Sequence, residues 1–117
     1  MNTMEKSIRD MYIASFIVLS KLALKHEEVG NIEDAIRIAG NGRDIMNVAY
    51  NSVSKNIDDD GYYLFSEFTR IFDRYVKGLK REESKQTLDL SRSNLHTYSD
   101  AYTPNIMDAL NKLLSKK

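Results

Sequence analysis

Apolar residues in this chain recur at spacings of three and four nearly from end to end, which is the helical period, and only Pro104 interrupts with a proline. The clearest stretch is Tyr63 to Arg81, where Leu64, Phe65, Phe68, Ile71, Phe72, Tyr75, Val76 and Leu79 share one face and charged residues take the other. A chain so patterned is all-α, and no segment alternates in the manner of a strand.

The helix limits follow from punctuation. Thr3 is placed to cap a first helix over Met4 to Glu28, with a stripe of Ile8, Met11, Tyr12, Ser15, Leu19, Leu22 and Ala23, and Gly30 is a stop signal. Asn31 caps the second, whose first turn carries Glu33 and Asp34 where the helix dipole favours acids. Within it Gly40-Asn41-Gly42 allows two readings. One is a single long helix that a neighbour approaches at the glycines; the other is a break after which Asn41 caps a new helix to about Lys55. Two interior glycines at roughly 1 kcal/mol each favour the break or kink. A further helix is expected from about Lys85, with Leu88, Ser91, Leu95, Tyr98 and Tyr102 inward. Thr103-Pro104 reads as the start of a last one carrying Ile106, Leu110, Leu113 and Leu114. The expected architecture is a compact four- or five-helix bundle forming one domain over residues 1–117.

Seventeen basic and seventeen acidic side chains cancel, which removes any broad electrostatic argument for nucleic acid or an anionic membrane. There is no cysteine, hence no disulfide, thiolate metal site or cysteine nucleophile, and a reducing, cytoplasmic setting fits. The most apolar run, Met11 to Leu24, is about 14 residues against the roughly 20 that a spanning helix needs, so no membrane partner is expected.

The stretch Asn56-Ile57-Asp58-Asp59-Asp60-Gly61-Tyr62-Tyr63-Leu64-Phe65-Ser66-Glu67 alternates oxygen side chains before a glycine and sets a glutamate six residues later. It resembles a calcium-binding EF-hand loop, whose ligands fall at positions 1, 3, 5, 7 and 12 with glycine at 6. The resemblance implies Ca²⁺ held by Asn56, Asp58, Asp60, the Tyr62 carbonyl and Glu67, followed by an exit helix with Phe68, Ile71 and Phe72 on its apolar side. The chain departs from the pattern upstream, where Lys55, Ser52 and Asn51 stand at places usually apolar, and it has no convincing second loop. The alternative is an Asp-rich turn that caps the following helix.

Arg70, Arg74, Lys77 and Arg81 share a helical face and form the candidate contact to nucleic-acid phosphates, although Glu67, Asp73, Glu82 and Glu83 stand close enough to pair with them. Arg92 and His96 resemble the Arg-to-His motif of HEPN-type ribonucleases, with three intervening residues where that family has four to six. Gly40-Asn41-Gly42-Arg43 lacks the ending of a phosphate-binding loop, and His26-Glu27-Glu28 lacks the second histidine of a zinc protease helix. No catalytic set emerges, and no enzyme is expected. The reading favoured is a small helical protein that acts by binding another protein or a copy of itself, as an adaptor, regulator or small subunit. Its large apolar residues on Tyr63 to Arg81, with Tyr12, Phe16 and Tyr50, look more numerous than one small core needs. The alternatives are a cation-binding module and a nucleoprotein subunit.

Overall fold

The computed structural model describes residues 3–52 and 59–115, with the backbone alone described for 59–62. The described residues form four helices: α1 (Thr3–Glu28), α2 (Ile32–Ser52), α3 (Asp59–Leu79) and α4 (Lys85–Leu114). No strand occurs among them. α1 and α3 each pack against both α2 and α4, an arrangement consistent with a four-helix bundle.

The turn from α1 to α2 is made as its glycine predicts, while the Asn31 side chain, expected to cap α2, pairs instead with His26 Nδ1 at 3.4 Å. Gly30 takes φ of +88°, the Gly30 N–H donates to the Glu27 carbonyl and the Asn31 N–H to that of His26, so α1 ends in a left-handed cap that satisfies its last carbonyls. The Asn31 carbonyl then accepts from Ala35 N–H and opens α2. α3 ends by the same device, with Glu82 N–H on the Lys77 carbonyl, yet the left-handed residue there is Arg81, at φ of +63°. Ser84 caps α4, its hydroxyl accepting from Thr87 N–H at 3.1 Å.

The break expected at Gly40–Gly42 does not occur, and α2 is one helix. Its inward side chains are small, Ala35, Ala39, Gly42 and Ala49 with Met46 between, and they face the aromatic side of α3. A Cβ built on Gly42 would lie 2.7 Å from Cζ of Phe72, so the missing side chain is what lets the two helices close. Burial of Met46 alone, worth about 1.5–3 kcal/mol, offsets the propensity cost of the glycines.

The last two expected helices are also one. α4 passes through Pro104, whose exposed ring leaves only the carbonyl of exposed Asp100 without its helical donor. Tyr98 and Tyr102 before the proline and Ile106 after it all pack on the same core, and that shared burial holds the helix to one axis. The described residues thus give four helices, within the four or five expected.

The core is aromatic. Phe16 of α1 stacks on Phe68 of α3 with ring centroids 3.7 Å apart and planes within 11°, and Phe72, Tyr98 and Tyr102 close around this pair. The apolar face of α3 is consumed here: Phe65, Phe68, Phe72 and Tyr75 are fully buried. The surplus expected on that helix is core, not surface.

Candidate interaction surface

α1 is apolar on two opposite sides. Its inward side is Ile13, Phe16, Ile17, Ser20, Ala23 and Leu24, all buried. This differs from the expected stripe, since Ile8, Met11 and Leu22 are exposed and Tyr12 and Leu19 are partly buried at the flank. Phe16 fixes the orientation, because it stacks on Phe68 in the core, and with Phe16 turned inward Met11, Val18 and Leu22 face outward.

The outward side is regular. Met4, Ile8, Met11, Ser15, Val18 and Leu22 follow one another at alternating intervals of four and three, which is the heptad spacing of a helix that packs against another helix. The five apolar members are between 37% and 72% exposed. Ser15, the polar member, donates to the Met11 carbonyl at 3.0 Å and so brings no free donor to the stripe. Beside the N-terminal half, α4 supplies Ile106, Leu110 and Leu113, and the groove between the helices is lined by these with Met11 and Ala14 and by the charged Lys6, Asp10 and Lys112. Lys21 joins the helices further along, its Nζ 3.3 Å from Asp100.

A charged lock fixes the other end of α1. The Arg92 guanidinium of α4 donates to both carboxylate oxygens of Glu27, at 3.0 Å and 2.5 Å, and to Asp89 at 2.6 Å. The hydroxyl of buried Tyr75 donates to Glu27 at 2.9 Å. Burial pushes the Glu27 carboxyl up, but hydrogen bonds from Arg92 and Tyr75 and the charge of Arg92 outweigh it, and the net value lies below the ordinary 4.5. Tyr75 is raised by burial and by its bond to Glu27, so the phenol stays protonated. Arg92 is thus tied into the fold, while His96, the other half of the ribonuclease-like spacing, is exposed.

Of the expected calcium ligands, Asn56 and Asp58 lie outside the described residues, and Asp60 and Tyr62 are described in backbone only, within α3. Because α3 begins at Asp59, Glu67 sits in its third turn, where Arg70 donates to it with Nε 3.2 Å from Oε2. Among the described residues no group of three or more His, Cys, Asp or Glu is placed to hold a metal ion. The basic stripe is laced with acids: Arg70 meets Glu67, Lys77 lies 3.1 Å from Asp73, and Arg74 lies 4.0 Å from Glu83. Asp73 also receives Arg43 from α2 at 3.3 Å, and these partners hold its carboxyl below the ordinary value despite burial. Arg81 stands apart from the other three, in the turn after α3.

Sequence reasoning missed the outer face of α1, although its signal was present in the spacing of Met4, Ile8, Met11, Val18 and Leu22. No helix of the described residues is long and apolar enough to cross a membrane. Compared with known protein families, curated proteins and solved structures, the chain shows no match to any of them.

Proposed function

We propose that this protein acts by docking to another protein through the outer face of α1, as an adaptor, regulator or small subunit of an assembly, and not by catalysis. The observation that supports this is the heptad-spaced row from Met4 to Leu22, lying opposite the face that makes the core. Surface helices of small proteins carry one apolar stripe, and a helix apolar on both sides is one that expects cover on both. The strongly perturbed groups point the same way: Glu27, Tyr75 and Arg92 satisfy one another across three helices, which is a structural role.

Photo-crosslinking tests this reading. A photoreactive residue placed at Val18 is expected to form protein adducts in the native host, and one placed at exposed Arg37 on α2 is expected to form none. Equal yields from both positions, or none from Val18, would remove the assignment.

A further inference from the structure

Resting on that reading, we infer that the partner on the outer face of α1 is α1 of a second copy, docked antiparallel about a twofold axis at the level of Ile13. The row is self-complementary in that placement. Met4 meets the partner's Leu22, Ile8 meets the partner's Val18, and Met11 meets the partner's Ser15, after which the twofold repeats the three layers in reverse. Each layer joins one helix's first heptad seam position to the other's second, as antiparallel helix pairs require, and a surface that matches itself closes into a dimer without further growth. The long, adaptable Met11 falls opposite small Ser15, whose hydroxyl is already bonded to its own backbone.

Charge and exposure favour this occupant. Along the overlapped segment from Met4 to Leu22 no charged residue lies in the seam; Lys25, the next at heptad spacing, falls beyond the overlap where its amine reaches water and stands 3.7 Å from Glu28. Antiparallel pairing also sets the positive N-terminal end of each α1 against the negative C-terminal end of the other. The five apolar residues of the row are each between 37% and 72% exposed, and Leu110 and Leu113 are exposed beside them, across a groove that Lys6, Asp10 and Lys112 also line. Ten such side chains, five from each copy, would make the apolar centre of the interface, inside the polar and charged rim that protein interfaces carry.

The absence of native cysteine makes the register directly readable. In the full chain, Met4→Cys and Leu22→Cys proteins mixed and oxidised are expected to give a Met4-to-Leu22 disulfide dimer, with little linkage in either protein alone. Light scattering of the wild type should give twice the chain mass at micromolar concentration, and Val18→Glu should weaken association about 100-fold or more with its helical circular dichroism unchanged. Self-linked Met4→Cys dimers would mean parallel pairing and overturn the proposal, as would a dimer that Val18→Glu leaves intact. A strict monomer up to millimolar concentration overturns it too. If Val18 of that monomer still forms adducts with other proteins, only the second copy is lost and the interaction reading stands; if it forms none, both fall.

Discussion

Phe72 of α3 lies against Gly42 of α2 so closely that a Cβ there would fall 2.7 Å from one ring carbon and 2.8 Å from the next. A ring in a packed core cannot retreat without moving its neighbours, and Phe72 also tilts against Phe16 at 5.2 Å. Gly42→Ala is therefore expected to destabilise the fold by about 1–3 kcal/mol, although alanine is the better helix former. Gly40, two residues earlier, would place its Cβ 3.9 Å from the end of the Arg43 side chain, in ordinary contact. Gly40→Ala should stabilise by up to about 1 kcal/mol. Urea unfolding of the two variants checks the opposite signs.

Adjacent residues on α1 should behave differently. Ile17 is 8% exposed and Val18 is 55% exposed. Ile17→Ala is expected to cost about 2–4 kcal/mol, whereas Val18→Ala, in dilute solution where chains are apart, should stay within about 0.5 kcal/mol. Denaturant titration at low protein concentration measures both.

The lock at Glu27 predicts a pH dependence. Its carboxyl titrates below the ordinary 4.5 when folded, so the stabilisation is fully present above that value and is lost as pH falls through the lower folded one. Glu27→Gln should lose stability less steeply than the wild type does as pH falls below the ordinary 4.5. Asp73, shifted in the same direction, leaves the variant with a residual slope. Melting temperature as a function of pH is the measurement.

Removing the other partner leaves Glu27 facing Tyr75 with no counter-charge. Arg92→Met should destabilise by about 1–3 kcal/mol at neutral pH, a figure held below that of a fully buried pair because the Arg92 side chain is 33% exposed. A double-mutant cycle with Glu27→Gln should recover part of the loss and give the coupling directly.

Arg81 occupies a left-handed conformation at the end of α3 that costs a side-chain-bearing residue roughly 1–2 kcal/mol. Arg81→Gly is expected to raise stability by up to about 1 kcal/mol, the remainder being the greater freedom glycine gains when unfolded. Thermal unfolding of this variant beside Lys80→Gly, expected to be destabilising, separates conformation from charge.

The helical class was legible in the apolar period, and the C-terminal end of α1 was legible in Gly30, because a stop glycine acts on the backbone within one turn. α2 starts just after Asn31, as expected, although the Asn31 side chain pairs with His26. Continuity was not legible. Gly42 and Pro104 both read locally as interruptions, and each lies inside a helix because residues on either side share one core; that reason exists only when α3 and the rest of the core are in place. The pairing of Glu27 with Arg92 and Tyr75 was equally hidden, since the three stand 48 and 65 residues apart in sequence. The outer face of α1 is the sharpest case. Spacing alone shows that α1 carries apolar residues on two opposite sides and cannot say which side faces in, since a helix of about 3.6 residues per turn offers both. By itself the sequence determined helices, the stop at Gly30 and an aromatic α3. The tertiary structure alone decided that Phe16 reaches the ring of Phe68, and that decision left Met11, Val18 and Leu22 facing outward.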